Sequence, residues 1–139
     1  MNSRLVVYLA GFGLAMGVAT LFGIIPRGME GLLWLAIAIF CAIWIPRQVA
    51  ARHFAHGFLV GLIAGAISPL IQVLFFPVYL ANNRYAAESF GKLPGNLSPR
   101  LFTLAFTPVI AILCGLILGS FAWLAGKVSR RGRAVTAKE

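Results

Sequence analysis

The chain has 139 residues, of which 60% are hydrophobic, and its mean hydropathy is +0.92. Because soluble domains are about 45–50% apolar, this composition excludes an ordinary soluble globular protein. The net charge of +9 would suit a nucleic-acid partner, but the basic residues flank apolar runs and are too dispersed for a groove footprint. Nucleic acid is therefore excluded as a partner.

Four apolar runs make up more than half of the chain, and none contains Asp, Glu, Lys, Arg or His; they cover residues 5–25, 32–45, 58–81 and 101–125. A bilayer core about 30 Å thick needs roughly 20 apolar residues of helix to cross it. The sequence therefore predicts an all-α, polytopic membrane protein. We expect one transmembrane four-helix domain over residues 1–139, with spans at about 5–25, 29–45, 58–81 and 101–126.

The first run follows Arg4 and is longer than the roughly 7–15-residue core of a signal peptide, which favours an uncleaved first span. The short loop 26–30 then predicts that spans one and two are antiparallel neighbours. The second run has only 14 residues, and extending it back to Met29 gives 17. That length leaves a re-entrant segment as an alternative to a span.

The distribution of basic residues favours four spans with both termini in the cytoplasm. Four spans place eight basic residues on the side of the termini: Arg4, Arg47, Arg52, Lys127, Arg130, Arg131, Arg133 and Lys138. The other side receives four: Arg27, Arg84, Lys92 and Arg100. Cytoplasmic loops carry the excess of Lys and Arg. We therefore expect a membrane protein of the bacterial inner (cytoplasmic) membrane with N- and C-termini inside.

The third loop, residues 82–100, is the only extramembrane segment with room for structure of its own. Arg84–Phe90 is predicted to form a short interfacial helix that stops at Gly91 and the turn beginning at Pro94.

Small residues spaced four apart are the strongest local pattern, on three of the spans: Gly13 and Gly17; Gly57, Gly61 and Gly65; Gly115 and Gly119. This spacing puts small residues on one helix face, so that a neighbouring backbone can approach closely. Two interpretations remain open. The stripes pack against helices of the same chain, or one of them, Gly57 with Gly61 and Gly65, faces another subunit.

A modest polar set accompanies the prolines of spans three and four. Ser68, Gln72 and Thr107 are candidates for a small polar cavity, while the alternative is that their side chains hydrogen-bond across helices.

Basic residues next to the spans are predicted to contact anionic lipid headgroups: Arg47, Arg52, Lys127, Arg130, Arg131 and Arg133. His53 and His56 have the spacing of a metal-binding pair, but a metal site needs at least three ligands. Interfacial histidines are favoured instead. We predict no metal, cofactor or catalytic residue.

Part of the chain resembles small four-span bacterial membrane proteins of unknown function, through residues 52–54, 57–65, 79–88 and 115–131. The resemblance covers about half of the chain and implies no activity. Small multidrug exporters carry a glutamate in their first span, which residues 5–25 lack. The glycine-arginine motif and phenylalanine box of fluoride channels are also missing.

An enzyme is disfavoured because the chain has no aspartate, and its three acids are Glu30, Glu88 and Glu139. A coupled transporter is disfavoured because none of the four apolar runs contains a carboxylate that could carry a proton or bind an ion. We predict a non-catalytic accessory subunit or assembly factor that packs against other membrane subunits, or against itself, through small-residue faces. The alternative is a homo-oligomeric passive channel or facilitator for a neutral solute.

Overall fold

The computed structural model describes residues 1–95 and 97–136, and in the last helix it describes side chains as far as Ser129. This part of the chain contains six helices: α1 (Ser3–Leu21), α2 (Met29–Gln48), α3 (His53–Leu74), α4 (Phe76–Asn82), α5 (Arg84–Phe90) and α6 (Pro99–Thr136). Four of them, α1, α2, α3 and α6, are long and apolar enough to cross a membrane. The all-α prediction is confirmed to that extent.

Helix α1 ends four residues before its apolar run does, because Gly23 reverses the chain. Gly23 has φ +64°, and the amide of Ile24 donates to the carbonyl of Ala19 at 3.0 Å. This is a Schellman ending, which favours glycine in the left-handed conformation. The predicted end of span one at residue 25 is therefore too late.

The third apolar run forms two helices, not one. Helix α3 stops at Leu74, and the remaining residues form α4, whose second residue is Pro77. Pro77 has no N–H to donate to the carbonyl of Val73, so the α3 helix cannot continue through it. The short α5 has the bounds predicted from the sequence, and its Phe90 ring packs 5.6 Å from that of Phe76.

Helix α3 lies at the centre of the packing. It contacts α6 along one face and α1 along another, while α2 packs mainly on α6. Helices α1 and α2 scarcely touch, although a short loop joins them. Their clearest contact is between the rings of Phe12 and Phe40, 5.7 Å apart, beside an open groove of about 440 Å³. The expectation that α1 and α2 pack as neighbours is wrong, because a short loop fixes their ends but not their faces.

One end of the structure is strongly basic. The N-termini of α1 and α3 meet there, since the Asn2 amide donates to Nε2 of His56 at 3.0 Å. The C-terminal part of α6 joins them, since Gly126 contacts the His53 ring. We call this the basic end; it carries Arg4, Arg47, Arg52 and Lys127. The buried apolar core, which includes Ile45 and Val60, lies toward the same end.

At the opposite end, a hydrogen bond joins α1 to the junction of α4 and α5. The Asn83 side chain donates from Nδ2 to the carbonyl of Thr20 at 2.8 Å and to that of Tyr79 at 2.9 Å. Above this junction the Arg27 guanidinium lies 4.0 Å from the centre of the Tyr85 ring.

Candidate functional site

The glycine stripe of α3 faces α6 within the same chain. A methyl group on Gly57 would lie 2.7 Å from the carbonyl oxygen of Leu118, and one on Gly61 would lie 2.8 Å from Cα of Gly115. One on Gly65 would lie 2.9 Å from Cβ of Cys114. Backbone of α6 therefore fills this stripe. The interpretation that Gly57, Gly61 and Gly65 face another subunit does not fit this packing.

The stripes of α1 and α6 are also used inside the chain. Gly13 contacts the backbone of Ala64, and a methyl group on Gly17 would lie 3.1 Å from Cα of Ser68. Gly115 and Gly119 meet the side chains and carbonyls of Phe58 and Phe54, respectively. Small residues thus let α3 approach α1 on one side and α6 on the other. All three stripes therefore pack against other helices of the same chain.

The predicted polar set does not converge on one cavity. Ser68 is buried against Gly17 of α1. The Thr107 hydroxyl is buried and donates to the carbonyl of Thr103 in its own helix at 2.9 Å. Gln72 is half-buried. None of the three lines any of the four best-formed cavities between the described residues. Thr107 satisfies its hydroxyl locally, as threonine commonly does in helices.

An apolar cavity of about 220 Å³ lies where the four long helices meet. Side chains of every long helix line it, among them Leu9, Trp34, Val60 and Leu118. Gly31, near the start of α2, lies at its edge, and a methyl group there would meet no atom within 4 Å. The cavity is half-open and almost wholly apolar, so it suits a hydrophobic group and not a polar solute.

No sequence pattern indicates this cavity, because its lining consists of ordinary apolar and small residues without a motif. Spacing indicates which residues share a helix face but not which helix that face meets. The cavity lies where α2 packs on α6 and not closely on α1. This arrangement of helices is visible only in the three-dimensional structure.

Both histidines at the basic end are fixed by hydrogen bonds. Nδ1 of His56 lies 2.9 Å from the Arg52 carbonyl, and Nε2 of His53 lies 2.9 Å from the Val49 carbonyl. Each of these nitrogens is assigned as the donor, because a carbonyl only accepts. The other ring nitrogen of His56 is then the acceptor for the Asn2 amide. The two rings therefore tie helix ends together, and the described residues include no cluster of three metal-binding side chains.

The predicted headgroup-binding residues fall into two groups. Arg47, Arg52 and Lys127 are exposed at the basic end. The Lys127 ammonium lies 3.8 Å from the centre of the Trp123 ring. The side chains of Arg130, Arg131 and Arg133 lie outside the described residues.

No family model, curated protein or solved structure matches this chain. The resemblance to small four-span bacterial membrane proteins therefore stays a prediction.

Proposed function

We propose that the protein is a non-catalytic accessory subunit of a larger membrane complex. In this proposal the four long helices cross a bacterial inner membrane, and the basic end faces the cytoplasm. The sequence supports the orientation, because four spans would put eight basic residues on the side of the termini and four on the other side. The partner is a membrane protein that places an apolar side chain of one of its helices in the cavity beside Gly31.

The observation that carries the proposal is the half-open apolar cavity between α2 and the other long helices. An engineered apolar cavity of about 150 Å³ stays dry and accepts benzene. A cavity of about 220 Å³ therefore has room for a large aliphatic or aromatic side chain. Filling it would give packing contacts that mobile lipid tails make poorly, and such packing is what holds helices together in membranes.

The outer face of α2 supports the same site. Leu32, Leu35, Ile39 and Ile43 lie along one side of this helix and are each about half exposed. The α2 span is 22% buried, as is that of α6, against 44% for α1 and for α3. A partner helix lying along α2 would cover this apolar side while one of its side chains enters the cavity. Helix-in-groove contacts use apolar anchors at this kind of spacing.

The partner surface proposed here differs from the small-residue faces predicted from the sequence. The small-residue faces named from the sequence hold the chain's own helices together, so the partner surface is placed on α2 and the cavity. The passive facilitator gains no support, because Ser68, Gln72 and Thr107 do not line a common cavity.

Native mass spectrometry in mild detergent, on protein extracted from its own membrane, tests the proposal. We expect the wild type to co-migrate with a larger complex at fixed stoichiometry. Gly31→Leu should abolish co-migration, because Gly31 lines the cavity and a Cβ there has no atom within 4 Å, which leaves room for a side chain where the partner would dock. Gly11→Leu is the matched control, since Gly11 on α1 also has open space beside it but lies outside this cavity.

Two results would contradict the proposal. A wild type that runs as a free monomer or small homo-oligomer would argue against an accessory role altogether. A Gly31→Leu protein that stays in the complex as firmly as Gly11→Leu would retain the role but remove the cavity as the docking site.

A further inference from the structure

A second cavity, at the basic end, has a different character. It has a volume of about 270 Å³ and lies between the start of α3 and α6, lined by Arg52, His53, Phe54, Trp123, Gly126 and Lys127. His53 is buried and held by its bond to Val49, so it forms a fixed wall. The two cations are exposed at the rim. The site thus combines a buried wall, formed by His53, with the exposed positive charges of Arg52 and Lys127.

Arg52 and Lys127 have no carboxylate partner within the part of the chain that the structure describes. Its acids are Glu30 and Glu88, both at the opposite end, and its ion pair joins Arg84 to Glu88. Lys127 rests on the Trp123 ring instead. Two cations beside a cavity and without a local counter-charge attract an anion, and they are well suited to phosphate oxygens.

The backbone conformation of Arg52 is a further observation that points to a role for its side chain. Arg52 has φ 57° and ψ 38°, the left-handed region, and it is the only non-glycine residue with positive φ within the described chain. A residue with a Cβ is strained in this region, whereas glycine adopts it readily. Strained residues of this kind cluster at functional sites. Arginine at a position that favours glycine is explained if its guanidinium binds something.

An apolar groove continues from this cavity toward the middle of α6. Phe54 and Trp123 line both, and the groove adds Leu124 and Ser120, the latter one turn before Trp123 toward the middle of α6. Its volume is about 360 Å³. A charged recess that leads directly into an apolar groove has the two-part chemistry of a phospholipid, and a free anion would use only the first part.

We propose that the basic end binds one anionic phospholipid. Arg52 and Lys127 contact its phosphate, and one acyl chain lies in the groove formed by Phe54, Ser120, Trp123 and Leu124. This site is separate from the cavity at Gly31, so it does not depend on the accessory role. It also goes beyond general attraction of basic residues to a membrane surface, because it names a single bounded site.

Native mass spectrometry of the full chain from phosphatidylcholine nanodiscs doped with phosphatidylglycerol tests this proposal. We expect one phosphatidylglycerol to be retained in preference to phosphatidylcholine. Arg52→Gly and Lys127→Gln should each weaken retention about fivefold, the effect of one cation near an anionic lipid. Arg4→Gln removes the same charge from the same end but outside the cavity, and it should leave retention unchanged.

Arg52→Gly also separates binding from folding. Because glycine relieves the left-handed backbone, the variant should be at least as resistant to unfolding as the wild type while it loses the lipid. If Arg52→Gly unfolds, Lys127→Gln and Ser120→Trp provide the test, since both positions are exposed. Ser120→Trp should exclude the acyl chain and release the lipid.

The source of the phosphate is decided by competition. Inorganic phosphate should not displace phosphatidylglycerol, and displacement by it would indicate a free-anion site and overturn the lipid proposal. Equal retention of the two lipids, or an equal loss in Arg4→Gln, would indicate nonspecific surface attraction and overturn it as well.

Discussion

Close approach of helix backbones decides which residues are tolerated at the glycine positions of α1 and α3. Gly13 and Gly61 each contact main-chain atoms of a neighbouring helix, Ala64 and Cys114, respectively. Backbone cannot move aside as a flexible side chain can, so any Cβ at these positions must separate two helices. Gly11, in the same helix as Gly13, has open space beside it. Neighbouring glycines therefore have very different roles.

We predict that Gly61→Ala lowers the free energy of unfolding by about 1–3 kcal/mol, the usual cost of overpacking. The new methyl group would meet the carbonyl of Cys114 and push α6 away from α3. Unfolding in mixed detergent micelles measures the change. Gly11→Ala is the control, and it should be neutral or stabilising by up to about 1 kcal/mol because alanine favours helix. Equal stability of Gly61→Ala and the wild type would contradict this packing.

The spacing of small residues predicted correctly that these positions lie on packing faces, but it left their partners open. A four-residue repeat defines a face of one helix, and nothing in it encodes the helix that the face meets. Gly126 had no pattern at all, yet it admits the ring of His53 at the basic end. Such a contact depends on the arrangement of helices distant in sequence.

Asn83 links elements at the opposite end. Its side chain reaches carbonyls of two helices, Thr20 in α1 and Tyr79 in α4, and both acceptors require the amide nitrogen to face them. These bonds hold the break between α4 and α5 against the end of α1. Asn82, the preceding residue, is exposed and bonds only to Val78 of its own helix.

We predict that Asn83→Asp lowers the free energy of unfolding by about 1–3 kcal/mol, since a carboxylate cannot donate and brings its negative charge against two carbonyl oxygens. Both oxygens keep their backbone donors, Gly23 and Asn83, so the loss is that of the side-chain bonds and of the link to α1. Asn82→Asp introduces the same change one residue earlier and should cost clearly less. The same unfolding measurement compares them. If the two variants are equally stable, the bond from Asn83 to α1 contributes nothing.

The sequence predicted that the long helices exist better than it predicted the residues at which they begin and end. The four apolar runs became long helices because 20 apolar residues have few other ways to satisfy their backbone. Their ends follow other chemistry, since Gly23 stops α1 early and Pro77 divides the third run. In the opposite sense, α2 continues past its apolar run as far as Gln48. Hydropathy measures where a helix is apolar, and local backbone chemistry decides where it begins and ends.

At the scale of the whole molecule, the ends of the long helices separate charge along one axis. The basic end has four described cations and no described acid, whereas the opposite end has four cations together with both described acids, Glu30 and Glu88. This separation supports the proposed orientation, with the basic end in the cytoplasm.

We predict that a membrane-impermeant maleimide labels Lys92→Cys on intact cells and labels Arg47→Cys only after permeabilisation. Lys92 belongs to the opposite end and Arg47 to the basic end. The wild type is the control and should remain unlabelled, because Cys41 is fully buried and Cys114 lies half-buried within α6. The reverse pattern would invert the orientation.

The central position of α3 has a consequence for biosynthesis. The ribosome delivers α1 and α2 first, but each of these two helices packs more extensively on a later helix than on the other. Each acquires its main partner only later, α1 from α3 and α2 from α6. A nascent chain released after residue 52 would therefore hold two helices that both lack their main packing partner. Synthesis of α3 is the step at which assembly starts, and α6 completes it.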